Sequence, residues 1–261
     1  MSKVWILGPC SMESREFYLN TGRKINSFMG NRDWYYKASF DKANRTSLYG
    51  GRGPGLDEAV EAFKEIKKEF PKMKLVTDVH ETHQVEKLAG VIDCIQIPAF
   101  LCRQTDLIVE CARHFDRINV KKGQWLGPDN VLKSLDKIKH TNENCEAWLC
   151  ERGSNFGYDK LIVDFTIVDQ IKEKYDKYIF DCTHATQRSR EVYVYQGDRT
   201  LAERYVMSSG LFNYDGVFAE THPTPEEAVS DADCQIYLSR MEKLIKTTEK
   251  FDKPDDITYL S

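Results

Sequence analysis

The sequence predicts an α/β protein of one architecture, a single-domain (β/α)8 TIM barrel over residues 1–261. Two observations carry that expectation. Short β-branched or aromatic runs recur along the chain and alternate with segments of helical periodicity, the pattern of a parallel sheet wrapped by helices. Ionisable residues then gather at the ends of those runs, where a closed barrel brings them to one mouth.

Taken in order, the runs are VWIL (4–7), WYYKAS (34–39), KLVTDV (74–79), CIQIPA (94–99), RINVKK (117–122), EAWLCE (146–151), YIFDC (178–182) and GVFAE (216–220). Each has strand length. After the second, Leu56, Ala59, Val60, Phe63, Ile66 and Phe70 fall at helical spacing, while Glu58, Glu61, Lys64, Lys68 and Glu69 take the opposite face. Similar periodicity runs through 107–115, 131–138, 167–175, 201–211 and 236–251. Eight such units favour a closed barrel over an open doubly wound sheet. No Pro/Gly/Ser-rich linker marks a domain boundary, and the acidic tail at 252–256 reads as a frayed end.

Composition excludes several classes. With 41% hydrophobic and 30% charged residues the chain is globular, neither disordered nor membrane-embedded. Its net charge of -4 provides no global field for nucleic acid or anionic lipid, so neither nucleic acid nor membrane is expected as a partner. The eight cysteines contain no CxxC pair and read as reduced thiols. The opening MSKVWILGPCSMES holds too short an apolar run for a signal peptide, which points to a soluble cytoplasmic protein.

The strand ends read GPC, KASFDKANR, TDVHETH, QIPA, NVKKGQ, CERG, DCTHATQ and AETHP. Their cations, Lys37, Lys42, Arg45, Arg52, Lys121, Lys122 and Arg152, form a local positive load suited to a small anionic substrate, although each alone reads as a surface ion pair. The GGRGPG run at 50–55 is either a phosphate-approaching loop or a plain turn. Cys10, His184, Glu220 and Asp231 stand at the ends of strands one, seven and eight and in the loop beyond. They make a mixed S/N/O set for a divalent ion, or are packing residues. His80 and His83 in HETH are a further candidate metal pair, but the run is not HExxH and the loop reading is the stronger.

GPCSMES, YKASFDKANRTS, RGPGLDEA, TDVHE, IQIPAFLCRQTDLI, NVKKGQ, ERGSNFGYD, DCTHATQ and ETHPTPEEAVSDA follow one another in an order that resembles the 3-deoxy-D-manno-octulosonate 8-phosphate synthases. These enzymes condense phosphoenolpyruvate with arabinose 5-phosphate. The related 3-deoxy-heptulosonate 7-phosphate synthases, which use erythrose 4-phosphate, carry KPR where this chain has KANR at 42–45. The resemblance implies that Lys37, Ser39, Lys42, Lys121, Gln124 and Arg152 hold phosphoenolpyruvate, and that Asn44, Arg45 and Thr46 receive the aldose phosphate. It adds Asp78, Gln96 and Gln187 to the pocket and has Arg103 reach the site of a neighbouring subunit in a homotetramer. Lys37, Lys42, Asp78, Lys121, Arg152 and His184 become the catalytic set. Cys10, His184, Glu220 and Asp231 become ligands of a divalent ion (Zn, Fe, Mn or Co), Cys10 standing where metal-independent relatives have Asn.

The chain departs from that pattern twice. RSREVYVYQGDR replaces a glycine-rich stretch after DCTHATQ, which leaves the choice of aldose open. ADCQIYLSR replaces a Gly-Pro turn after Asp231. A Schiff-base aldolase using Lys37 or Lys121 is the competing mechanism. Asp78, Glu220 and a metal-bound hydroxide are the candidates for general base.

Overall fold

The computed structural model describes residues 3–43, 50–155, 160–191 and 194–252. The chain runs β1 (Val4–Gly8), α1 (Arg15–Met29), β2 (Asp33–Lys37), α2 (Leu56–Glu69), β3 (Lys74–Asp78), α3 (Thr82–Leu88) and β4 (Cys94–Ile97). It continues through α4 (Thr105–His114), β5 (Arg117–Lys121), α5 (Pro128–Thr141), β6 (Glu146–Glu151), α6 (Val168–Lys172) and β7 (Lys177–Asp181). A hairpin of β8 (Arg188–Glu191) and β9 (Val194–Gln196) then precedes α7 (Arg199–Leu211), β10 (Gly216–His222), β11 (Ile236–Tyr237) and α8 (Leu238–Phe251).

The strands β1 to β7 and β10 pair in sequence, all parallel, and β10 returns to β1 with Val4 opposite Gly216 and Gly8 opposite Glu220. Closure removes both sheet edges and gives the (β/α)8 barrel that the alternation predicts. The eight expected strand runs all form barrel strands. All eight cysteines are free and buried. Among the described residues no helix is long and apolar enough to cross a membrane.

Two helices, α1 and α3, lie outside the periodic segments expected from the sequence. In α1 the buried residues are Tyr18, Leu19, Thr21, Gly22, Ile25 and Met29, and two of those six positions hold a small or polar residue. Gly22 is there because a Cβ would lie 2.7 Å from the Tyr36 ring of β2, so the helix packs directly on the strand. Its start is fixed by Ser14, whose Oγ accepts the Phe17 N–H at 3.1 Å. Only seven residues long, α3 buries Val85 and Leu88 and depends on a capping box between Glu81 and Gln84. Conversely, the 167–175 pattern shortens to α6, because Phe165–Ile167 forms a 3₁₀ turn. The last helix begins at Leu238, since Ile236–Tyr237 pairs with Thr221 and His222.

Burial divides into two layers. The larger lies between sheet and helices; in α2, for example, Ala59, Ala62, Phe63 and Ile66 face it, with Phe63 and Ile66 contributing about 1.5–3 kcal/mol each. The smaller fills the barrel with Val4, Ile6, Tyr35, Val76, Cys94, Trp148, Cys150, Ile179 and Phe218. That apolar plug closes the barrel below the mouth, so solvent and ligand meet only what projects above it.

Candidate active site

Strand alternation places the polar residues of the mouth directly above the plug. Two residues beyond an inward apolar side chain the same face is presented again. Tyr35 is thus followed by Lys37, Val76 by Asp78, Cys94 by Gln96, Ile179 by Asp181 and Phe218 by Glu220. Lys121 completes β5, and Arg152 follows β6. The result is a cavity of about 560 Å³ at the C-terminal ends of the strands.

Of the sequence-predicted residues, Lys37, Lys42, Asp78, Gln96, Lys121 and Gln124 line this cavity, and so do Arg152, His184, Gln187, Glu220 and Asp231. Ser39 is fully buried beside it rather than in it; its hydroxyl donates to Asp78 Oδ2 at 2.7 Å and accepts from Lys42 Nζ at 3.1 Å. Cys10 is likewise buried behind the wall. Arg103 is exposed and does not line the cavity of its own chain. Asn44, Arg45 and Thr46 lie outside the described residues.

The expected cation set contracts. Lys122 turns away from the cavity and is buried against Gly153 O at 2.9 Å and Ser154 Oγ at 2.6 Å, where it supports the loop after β6. Arg52 pairs with Asp41 at the surface. The GGRGPG segment is a turn and does not line the cavity: Lys42 N–H donates to Arg52 O and Gly55 N–H to Phe40 O. The cations that do line it are not equivalent. Lys37 is committed to Glu220 Oε1 at 2.7 Å and Cys10 O at 2.9 Å. Lys121 is paired with Asp181 and sits 3.2 Å from the Phe218 ring centroid. Among the described residues Lys42 and Arg152 have no carboxylate in ion-pair contact; Arg152 Nη2 donates to Gln187 Oε1 at 2.5 Å. These two are the cations best placed to receive an anion.

The candidate metal ligands converge. The ligand atoms of Cys10, Glu220 and Asp231 all lie within 4.8 Å of one another. His184 Nε2 is 3.7 Å from Glu220 Oε2 and 3.9 Å from Asp231 Oδ2. Its other nitrogen, Nδ1, meets Asp181 Oδ2 at 2.8 Å, the carboxylate–imidazole arrangement that orients a ligating histidine. Glu220 Oε2 is buried and has no hydrogen-bond partner among the described residues. A buried carboxylate oxygen left unpaired costs free energy, and a divalent ion between these donors would satisfy it. A thiol, an imidazole and two carboxylates suit Zn²⁺, Fe²⁺, Mn²⁺ or Co²⁺, so the residues fit the group.

Charge shapes the titration of the site. Burial pushes the Cys10 thiol well above its ordinary value, and the Glu220 carboxylate adds to the effect. Burial opposes ionisation of Asp78, but Lys37 and Lys42 outweigh it and hold that carboxyl well below the usual range. Asp181 is depressed in the same way by His184 and Lys121, and Asp231 by His184 and Lys42. The mouth is therefore a lattice of ionised pairs, in which each carboxylate is kept charged by a neighbouring cation.

Three features take their place in the site only through the structure. Asp181 was visible only as the first letter of DCTHATQ, although its place two residues beyond the inward Ile179 gives it the register of the other site residues. His80 does line the cavity, with a buried Nδ1 that has no partner among the described residues. The divergent 188–199 stretch forms the β8–β9 hairpin and brings Gln196 and Gly197 to the rim. Gly197 is required there, since a Cβ would fall 1.8 Å from Cys234 Sγ.

Comparison with known proteins follows the same residues. The sequence model of the DAHP synthetase I family matches residues 2–254. A Wolinella succinogenes protein named 2-dehydro-3-deoxyphosphooctonate aldolase is 42% identical over 255 residues, covering 93% of this chain and 96% of its own. Proteins of the same name from Fusobacterium nucleatum and Helicobacter pylori are 39% and 41% identical, covering 96% and 93% of this chain and 90% and 92% of their own.

Proposed function

Because the chain belongs to the DAHP synthetase I family, we propose that it condenses phosphoenolpyruvate with D-arabinose 5-phosphate and water, giving 3-deoxy-D-manno-octulosonate 8-phosphate and inorganic phosphate. One observation supports this reading above the others. A single barrel mouth holds both uncommitted cations for an anionic substrate and, beside them, a sulfur, nitrogen and oxygen donor set.

Lys42 and Arg152 receive the phosphate and carboxylate of phosphoenolpyruvate, with Gln124 at the same wall. The reaction joins the enol CH₂ carbon to the aldehyde carbon of the aldose. Water adds to the carbon that bore the phosphate ester, and phosphate departs. Anchoring two phosphates apart in one cavity aligns the two carbons, which turns an encounter into a near-attack geometry. The aldehyde oxygen gains negative charge as the bond forms and is met by the ammonium of Lys121, which Asp181 holds in place. Cys10, His184, Glu220 and Asp231 would hold a divalent ion, which when bound supplies Lewis-acid polarisation of an oxygen. Asp78 is held ionised far below the usual carboxyl range by Lys37 and Lys42 and accepts from Ser39 and Gln96, so it anchors the charges of the mouth and is a weak candidate for the base. The pairing of Lys37 with Glu220 and of Lys121 with Asp181 argues against a Schiff-base lysine, because both nitrogens are already engaged by carboxylates. Arg103, exposed on the loop after β4, serves the site of a second subunit in a homotetramer.

The test is phosphate release from phosphoenolpyruvate with arabinose 5-phosphate, erythrose 4-phosphate and ribose 5-phosphate, each after chelation and after adding back divalent metals. Turnover of arabinose 5-phosphate that chelation abolishes and metal restores supports the reading. Preference for another aldose reassigns the acceptor, and silence with all three removes the assignment.

A further inference from the structure

We propose that Gln235 is a positioning residue of the metal site, its amide fixing Cys10 against the loop that carries Asp231. The inference rests on the metal-binding reading above. Neither ligand is held by the barrel ladder: β1 ends at Gly8 and β10 at His222, so Cys10 and Asp231 both lie on irregular chain beyond paired strands. Yet Cys10 Sγ and Asp231 Oδ2 are 3.0 Å apart. Asp231 also adopts a left-handed backbone, with φ of 51°, a conformation that a residue other than glycine keeps only where its surroundings enforce it.

Gln235 spans the gap. It is 1% exposed; its Oε1 accepts the Cys10 N–H at 3.2 Å and its Nε2 donates to Ser230 O at 2.8 Å. Its own N–H donates to Asp231 O at 3.0 Å. The outer side of this turn is closed by Arg199, which donates from Nε to Gln235 O at 2.7 Å and from Nη2 to Ala232 O at 2.8 Å. A carboxamide is the side chain that offers an acceptor to an amide N–H and a donor to a carbonyl from one planar group. Any apolar replacement leaves both backbone groups buried and unpaired. With thiol and carboxylate fixed in advance, metal capture orders little that is not already ordered.

The experiment uses the full chain stripped by chelator and reloaded with Co²⁺. Affinity is measured by chelator competition, and thiolate coordination by the sulfur-to-cobalt charge-transfer band. Gln235→Met, similar in size but without the amide, is expected to bind Co²⁺ about ten- to a hundred-fold more weakly and with a weakened band. Gln235→Glu keeps the acceptor for Cys10 but not the donor for Ser230, and is expected to lose less; it carries the test if the Met variant fails to fold. Wild-type affinity and band in the variants overturn the proposal. So does a lower melting temperature of the metal-free protein with unchanged affinity in the folded fraction, which marks a purely structural role. Wild-type protein that binds no Co²⁺, or a Cys10→Ala variant that binds it as tightly as wild type, removes the metal site itself and the proposal with it.

Discussion

Lys37 and Glu220 form an ion pair with both side chains out of solvent: Nζ donates to Oε1 at 2.7 Å, while Oε2 of the same carboxylate is buried without a partner among the described residues. One oxygen balances the lysine and the other is left for a cation. Glu220→Gln keeps the shape but strands the Lys37 charge. We expect a loss of about 3–5 kcal/mol in urea unfolding of the metal-free protein, the cost of breaking a buried pair from one side. Metal content should fall with it, and unchanged stability and metal content would contradict the dual role.

Cys10→Ala removes the sulfur donor from the site. Metal content after purification and turnover are expected to fall together to background. Full activity in the chelated variant would reject Cys10 as a ligand. Cys10→Asn, by contrast, is expected to retain some metal-independent turnover, as the Asn-bearing relatives imply.

Asp181 accepts from His184 Nδ1 at 2.8 Å and pairs with Lys121, so a single carboxylate orients a proposed ligand and a proposed catalytic ammonium. Asp181→Asn should weaken metal binding about ten- to a hundred-fold, measured by chelator titration. It should also lower kcat more than it raises KM, because Lys121 acts on charge that develops in the transition state. A change confined to KM would place Lys121 in ground-state binding instead.

The depressed carboxyls predict the direction of acid sensitivity. Asp78 and Asp181 are held below their unfolded value, about 3.9 for a free Asp, so the stability they confer is complete above that value and is lost as pH falls toward their folded values. Urea midpoints should slip below about pH 6.5, where the unfolded chain protonates His80, whose folded value burial lowers, and fall more steeply below about pH 5. The Asp78→Asn variant should fall less steeply, since one such carboxyl is gone. A wild-type midpoint that rises on acidification would refute this assignment.

Gly22 inverts a general rule of helices. Gly→Ala inside an exposed helix stabilises by about 1 kcal/mol, but here the added methyl meets the Tyr36 ring at 2.7 Å and Ile66 Cδ1 at 3.0 Å. Gly22→Ala is expected to destabilise by about 1–3 kcal/mol through overpacking, read from thermal or urea unfolding. A stabilised variant would show that α1 can ride outward from β2.

That same glycine explains why α1 was hard to read. Periodicity records apolar side chains, and a helix pressed onto a strand can present Thr21 and Gly22 at the contact instead. The barrel strands were legible because each carries its own signal, an apolar alternation ending in an ionisable residue. Much of the mouth was legible for the same reason: Lys37, Asp78, Gln96 and Glu220 keep the inward register of Tyr35, Val76, Cys94 and Phe218.

By itself the sequence determined the eight strand runs and the gathering of ionisable groups at their C-terminal ends, since both are written within strand-length segments. Tertiary structure alone decided which charges face one another. Lys122 and Arg52 proved to be committed elsewhere, Asp181 joined Lys121 to His184, and Gln235 came to lie between Cys10 and Ser230. The pairings of Lys121 with Asp181, Lys122 with Ser154 and Gln235 with Cys10 join residues far apart in the chain, and a distance between two strand ends exists only once the sheet has closed.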